Sequence, residues 1–342
     1  MELTYLQTIV ISAVLINSLL CLTIFNIRLN LFIFIIGFLY LLVSFPLGHD
    51  TLNYKFIIED GYLPRYGLIW SILDAFSNFF NNWKFVHFIS YVIIICSFFK
   101  LSKTLKNSNL ALTILLLSPA IGFDFLSIIR QALATAAIIF AYLLGRKKSK
   151  WEYLLYLVAG LLHVSAFIYA LFVFTKKINI TRSMTPFRFL FVILTLFIFV
   201  SLTFVFLIQF ELLDTTHFIE FYITNDDSVQ SGKFVLIYWV IALGLPLILN
   251  VIFGISNNSN SIKQYLLFFS IYICVWMISS PTARIMWYFI PILFIQTLNE
   301  VELVNNKLYT RLYRVGLIIL TFLSANFGLL ISHDNYWVGY YE

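Results

Sequence analysis

Residues 127–150 read SIIRQALATAAIIFAYLLGRKKSK. The apolar run within this stretch, 128–145, approaches the length of about 20 residues that a helix needs to cross a bilayer. Arg146 and three lysines follow directly, and such cations collect on the cytoplasmic side of membrane spans. The stretch therefore predicts a transmembrane helix that ends inside the cell and carries Arg130 in its first turn, at the outer face.

The same pattern recurs along the whole chain. Of its 342 residues, 61% are hydrophobic and 11% are charged, whereas an average globular protein has about 25% charged residues. This composition excludes a soluble enzyme, a disordered protein and a nucleic-acid-binding module, so no nucleic acid is expected as a partner. The apolar spans lie at 6–25, 29–47, 86–99, 109–123, 128–145, 151–174, 188–209, 234–255, 265–279, 285–298 and 315–332. We predict an all-α polytopic membrane protein with one integral membrane domain over residues 1–342.

One span does not fit a simple alternation across the membrane. The segment 151–174 has basic residues on both sides, 146–150 before it and 176–188 after it. Both flanks are expected inside, which a re-entrant hairpin turning near Gly160 and His163 would satisfy. An ordinary crossing with one basic loop outside is the alternative. With the hairpin, the chain has about ten full crossings and both termini outside.

This topology predicts two outer loops. Loop 48–85 contains an aromatic stretch from Tyr66 to Phe80, in which Ile69, Leu73 and Phe76 recur at helical spacing. We expect this stretch to form a helix that lies on the membrane surface. Loop 210–233 is rich in acidic residues and is expected to be solvated.

Polar residues within or beside the spans mark candidate functional positions. Arg130 and Arg284 are each expected to begin a helix at the outer face, where a guanidinium and the first amides of a helix bind anions. Arg130 could instead pair with Asp124 or extend to the membrane interface. His163 is either a buried polar residue or, in a hairpin, a donor to phosphate or a proton carrier.

The sequence predicts neither a metal site nor a cofactor. Cys21, Cys96 and Cys274 all lie in apolar runs, and their spacing matches no metal-binding motif. The pair Asp226 and Asp227 is weak evidence for a metal. The net charge of +6 indicates orientation across the membrane more than affinity for an anionic partner.

An ordered set of motifs resembles the EpsG family of Wzy-type polysaccharide polymerases. The set begins with Gly48-His49-Asp50-Thr51-Leu52-Asn53-Tyr54 and continues with Arg130-Gln131-Ala132-Leu133-Ala134, His163-Val164-Ser165-Ala166 and a span that begins with Arg284. The resemblance covers roughly residues 48–288. Family members often have Glu-Pro in the first outer loop, but this chain has Leu63-Pro64. Asp50 is therefore the nearer candidate for a general base.

The resemblance implies a GT-C-like glycosyltransferase of the bacterial inner membrane with its active site facing the periplasm or exterior. Its implied substrates are undecaprenyl-pyrophosphate-linked glycans, both donor and acceptor, which it polymerises into O-antigen, capsule or exopolysaccharide with inversion and without a metal. A chain-length regulator protein is an implied partner besides the bilayer. The implied catalytic residues are Asp50, Arg130, His163 and Arg284, and the implied substrate-binding residues are Tyr54, Gln131 and Tyr288.

Four alternatives remain open from the sequence. A lipid-linked oligosaccharide flippase or other transporter would move substrate without forming a glycosidic bond, and such proteins often contain internal repeats. An O-antigen ligase would use the same chemistry with another acceptor. A membrane O-acyltransferase would require a catalytic histidine that faces the cytoplasm. A structural membrane subunit would leave Arg130 and Arg284 unexplained.

Overall fold

A computed structural model of the protein describes residues 5–24, 30–43, 55–61, 68–80, 82–118, 129–167, 169, 191, 195, 229–255 and 287–336. All regular structure in these residues is helical, and they contain no strand. The all-α prediction is confirmed for this part of the chain. The spans predicted at 188–209 and 265–279, and the acidic loop 210–233, lie almost entirely outside it.

The helices are numbered here in chain order. They are α1 (Tyr5–Ile24), α2 (Asn30–Val43), α3 (Leu68–Phe79), α4 (Lys84–Ser102), α5 (Ser108–Leu117), α6 (Ile129–Arg146), α7 (Trp151–Leu162), α8 (Val229–Ile252), α9 (Ile290–Leu303) and α10 (Lys307–Tyr336). A 3-10 helix, Val164–Ala166, follows α7. Within the described residues, three stretches are long and apolar enough to cross a membrane: α4, α6 and Lys307–Asn326 within α10. Shorter apolar helices accompany them at Val10–Ile24, Ser108–Leu117, Trp151–Leu162 and Ile237–Ile252.

The start of α10 differs from the prediction. Arg311 and Arg314 directly precede the apolar span 315–332, and their charges predict a cytoplasmic loop, but the helix already begins at Lys307. The side chain of Asn306 explains the early start, because its Oδ1 accepts hydrogen bonds from the amides of Leu308 (3.0 Å) and Tyr309 (3.1 Å). An asparagine that satisfies two otherwise unpaired amides is a strong helix cap.

The chain divides into two units, of which the first comprises Met1–Phe167 and Asn305–Glu342. Its central helix is α6, which contacts α4 on one side and α7 on the other. Small side chains permit these contacts, since the alanines of α6 are all buried. These residues are Ala132, Ala134, Ala136, Ala137 and Ala141.

The remaining helices of the first unit pack through similarly close contacts. Helix α1 contacts α2, α5 and α10. Thr23 and Thr113 join α1 to α5 by a hydrogen bond of 2.6 Å between their hydroxyls. Gly37 of α2 lies directly against the side chain of Leu116 in α5. Interhelical hydroxyl bonds and small residues are the usual means of helix association in a bilayer.

Helix α7 ends where the sequence predicted a turn. It spans 12 residues, or about 18 Å at 1.5 Å per residue, which is well short of the ~30 Å of a bilayer core. At Gly160 the ring of Phe167 occupies the space that a Cβ would fill, so the chain folds back closely over the last turn of α7. The predicted first limb of the hairpin is thus a short helix, while most of the second limb lies outside the described residues.

We expect Gly160→Ala to destabilise the first unit by about 1–3 kcal/mol, because the added methyl group overlaps the Phe167 ring. The thermal unfolding midpoint of the purified protein in detergent would measure this change. The double variant Gly160→Ala/Phe167→Ala removes the overlapping ring and should recover stability relative to Phe167→Ala alone. An equal effect of Gly160→Ala in both backgrounds would contradict the contact.

Helix α3 confirms the expected helix at Tyr66 to Phe80, and its exposed face is apolar. Phe76, Phe79 and Phe80 are 48%, 81% and 51% exposed. The opposite face, with Trp70, Asp74 and Ser77, is buried. A helix with aromatic side chains outside and polar ones inside suits an environment of lipid more than one of water. The helix is confirmed, and its position on the membrane surface stays a prediction.

The second unit comprises Ile168–Val304. Within it α8 contacts α9, and the rings of Trp239 and Phe294 meet with their centroids 5.5 Å apart. Tyr288 precedes α9 in a 3-10 turn and is fully buried. Phe289, the next residue, packs against Tyr169 at 4.9 Å. Aromatic packing therefore holds the described part of this unit together.

Candidate functional site

Arg130 lies in the first turn of α6, as the sequence predicted. The side chain is partly exposed, and its guanidinium carbon lies 6.0 Å from the centroid of the Trp70 ring. A guanidinium at this distance from an indole ring is attracted by the negative charge of the ring face. Trp70 therefore orients the guanidinium at the amino end of α6.

The preceding helix, α5, ends just before a proline. Helix α5 ends at Leu117, and Ser118 is extended with ψ 145°. Pro119 follows and disfavours the helical conformation at Ser118, since its ring collides with the preceding backbone. Pro119 and Gly122 in the sequence predict a helix end at this point. Residues 119–128, including Asp124, lie outside the described part of the chain.

Trp70 connects α3 to the carboxyl end of α7. Its side chain is fully buried, and its indole N–H donates to the carbonyl oxygen of Leu162 at 3.2 Å. Leu162 is the last residue of α7, and carbonyls at a helix end lack partners within the helix. The indole thus satisfies a carbonyl that would otherwise be costly to bury.

His163 follows Leu162 in an extended conformation, with φ −154° and ψ 117°. Its amide donates to the carbonyl oxygen of Ala159 at 3.0 Å. Its Nδ1 lies 2.7 Å from the hydroxyl oxygen of Ser165, which begins the return of the chain. This hydrogen bond holds the half-buried imidazole in place. The tautomer of the ring decides which of its two nitrogens carries the proton.

The structure thus brings Arg130 and His163 into one neighbourhood. Trp70 contacts the guanidinium of Arg130 with its ring and the carbonyl next to His163 with its N–H. Helix α7 contacts both α3 and α6, and the 3-10 helix contacts α6 and α7. A fixed cation and an oriented imidazole can together bind a phosphate group and move a proton.

Sequence reasoning missed the residues of α3 that build this neighbourhood. Trp70, Asp74 and Ser77 recur at intervals of four and three residues and form the buried face of the helix. Asp74 is only 8% exposed, and its Oδ2 accepts a hydrogen bond of 3.2 Å from the side-chain amide of Asn78. The same helical spacing that identified the aromatic face could have identified this second face.

The other predicted site residues are distributed as follows. Gln131 is 3% exposed and lies in the packed interior around α6. Tyr288 lies in the second unit, where it is fully buried. Asp50, Tyr54 and Arg284 lie outside the described residues. Their roles therefore stay predictions, as do those of Gln131 and Tyr288.

Acidic, histidine and cysteine side chains do not converge in the part of the chain that the structure describes. No three of them are placed there to hold a metal ion. Trp70 instead links a guanidinium to the backbone beside an imidazole, and the Asp74 carboxylate follows Trp70 by one helical turn. This set suits recognition of a phosphorylated, hydroxyl-rich ligand.

Comparison with known proteins identified one family. A sequence model of the EpsG family matches residues 29–341, which is nearly the whole chain. Searches of curated proteins and of solved structures found no match.

Proposed function

Because this chain belongs to the EpsG family, whose members are Wzy-type polysaccharide polymerase-like membrane proteins, we propose that it is a membrane glycosyltransferase. It joins undecaprenyl-pyrophosphate-linked oligosaccharide repeat units into O-antigen, capsule or exopolysaccharide. The growing glycan is transferred from its lipid pyrophosphate to a hydroxyl of another lipid-linked unit. The reaction inverts the anomeric carbon, and the fold is of the GT-C kind.

The observation that supports this proposal is the position of Arg130 at the amino end of α6 against Trp70. When the bond between the sugar and pyrophosphate breaks, negative charge develops on the leaving oxygen. A guanidinium fixed in advance stabilises that charge without a cost of reorganisation. The first backbone amides of α6 lie at the positive end of the helix dipole. They add to the stabilisation of the negative charge. Arg284 is proposed as a second cation for the pyrophosphate.

His163 is the second group of the proposed mechanism. Its Nδ1 lies beside the hydroxyl of Ser165, and the imidazole is proposed to act on substrate. It either donates a hydrogen bond to the leaving phosphate or accepts the proton of the attacking hydroxyl. Asp50 is the alternative acceptor for that proton. Tyr54, Gln131 and Tyr288 are proposed contacts for the sugar or phosphate groups.

The site is proposed to face the periplasm or exterior from the bacterial inner membrane. Support comes from the charges at the two ends of α6, because Arg146, Lys147, Lys148 and Lys150 follow its carboxyl end. This basic loop belongs in the cytoplasm, which leaves the amino end with Arg130 at the outer face.

We expect Asp60→Cys to react with a membrane-impermeant maleimide in intact cells, and Lys147→Cys to react only after the membrane is opened. Both side chains are exposed, so differences in labelling report the side of the membrane. Each variant would be made in a chain without Cys21, Cys96 and Cys274. Labelling of Lys147→Cys from outside would overturn the orientation.

The test of the function is incubation of the purified protein with lipid-linked repeat units. We expect a ladder of products that differ by one repeat unit, together with release of undecaprenyl pyrophosphate. A flippase would give no ladder. A ligase would transfer the glycan only to another acceptor, so both alternatives would be recognised from the products.

A further inference from the structure

We propose that Asp74 is the base that takes the proton from the attacking sugar hydroxyl. This inference rests on the proposed function and deepens it. It assigns the removal of the hydroxyl proton to Asp74 in place of Asp50 or His163. His163 then serves as the donor to the leaving phosphate.

The first observation is the state of the Asp74 carboxylate. The residue is 8% exposed, and its Oδ2 accepts a hydrogen bond from Asn78, one turn further along α3. Its Oδ1 is buried, and no hydrogen-bond donor reaches it from the residues that the structure describes. Buried carboxylate oxygens are normally paired, since an unpaired one destabilises the folded protein. A ligand that donates a hydrogen bond to Oδ1 would explain why this oxygen has no partner within the protein.

The second observation is the position of Asp74 relative to the other site residues. It follows Trp70 by one helical turn on the same face of α3, and residues four apart on a helix are neighbours. Trp70 in turn contacts Arg130 and the carbonyl of Leu162, next to His163. Helix α3 contacts α4 and α7, and the hydrogen bond from Trp70 to Leu162 belongs to this face. The unpaired oxygen therefore belongs to the residue one helical turn from Trp70, the side chain that contacts the cation proposed to bind the pyrophosphate.

The chemistry of the reaction selects a hydroxyl as the missing donor. Pyrophosphate offers only acceptors at neutral pH, and so it would repel the carboxylate. The acceptor sugar offers hydroxyl groups, which donate to a carboxylate. Asn78 fixes one oxygen of the carboxylate and leaves the other to accept. Because Oδ1 is sealed from solvent, the proposal requires α3 to move away from its neighbours when the acceptor sugar binds.

The step balances as follows. The O–H bond of the acceptor hydroxyl breaks, and its proton passes to Oδ1 of Asp74. The hydroxyl oxygen forms a bond to the anomeric carbon of the donor glycan. The bond from that carbon to the pyrophosphate oxygen breaks, and its electron pair leaves with undecaprenyl pyrophosphate. The proton on Asp74 is then released to water.

We expect Asp74→Asn to lower the rate of chain extension by about 10²-fold or more, the usual contribution of a general base. Asparagine has the same shape, and its amide oxygen can still accept the hydrogen bond from Asn78. Because the change removes a buried charge with an unpaired oxygen, the thermal unfolding midpoint in detergent should stay the same or rise. The combination of lost activity and retained stability separates a functional carboxylate from a structural one.

The matched control is Asp60→Asn, the same change at an exposed carboxylate of the same predicted outer loop. It should leave both the rate and the midpoint unchanged. The proposal is overturned if Asp74→Asn extends chains within about threefold of the wild-type rate, or if its activity and midpoint fall together. Absence of a ladder from the wild-type protein would instead refute the proposed function, and the assignment of Asp74 would fall with it.

Discussion

Replacement of Arg130 by alanine is expected to reduce chain extension by about 10²–10³-fold, the range seen when one fixed donor to a developing anion is removed. The side chain lies in the first turn of α6 against the Trp70 ring, so its loss removes the cation proposed to bind the pyrophosphate. The measurement is the initial rate of ladder formation with lipid-linked repeat units. Little change in stability is expected, because Arg130 is partly exposed.

Two further variants make this experiment specific. Arg130→Lys keeps the charge but loses the planar guanidinium, so it should recover only part of the rate. Arg146→Ala is the matched control, since Arg146 is an exposed arginine at the other end of the same helix. It should extend chains at close to the wild-type rate. If Arg130→Ala made full-length polymer at that rate, its role with the pyrophosphate would be refuted.

Replacement of Trp70 by alanine is expected to have the largest effect on stability, about 3–5 kcal/mol, because it empties a fully buried indole site. It should also remove activity, since Trp70 positions Arg130 and holds the end of α7. Thermal unfolding in detergent and the rate of chain extension would measure the two effects.

The variant Trp70→Phe distinguishes the ring contact with Arg130 from the hydrogen bond to Leu162. Trp70→Phe keeps an aromatic ring beside Arg130 but leaves the Leu162 carbonyl without its donor, which should cost about 1–3 kcal/mol. Trp151→Phe is the matched control, because Trp151 is 66% exposed. Equal midpoints for Trp70→Phe and the wild type would contradict a stabilising role for the hydrogen bond to Leu162.

Much of the fold follows from local properties of the sequence. The helix with Arg130 in its first turn follows from an apolar run with a basic end, and the end of α5 follows from Pro119. The break after Leu162 was predicted from two basic flanks and confirmed as the end of a short helix. Each of these features depends on hydrophobic length, backbone restriction or charge within one stretch of chain. One such inference was wrong: the charges of Arg311 and Arg314 indicated a loop, but the Asn306 cap extends α10 over them.

The sequence by itself therefore determined the membrane class, the family resemblance and the positions of Arg130 and His163. Only the tertiary structure decided that Trp70 links these two residues and that Asp74, one helical turn from Trp70, is buried. The hydrogen bond from Trp70 to Leu162 joins residues 92 positions apart. Such a contact depends on how α3 packs against α7, and hydrophobic periodicity shows which faces of a helix are apolar but not which neighbour covers the polar one.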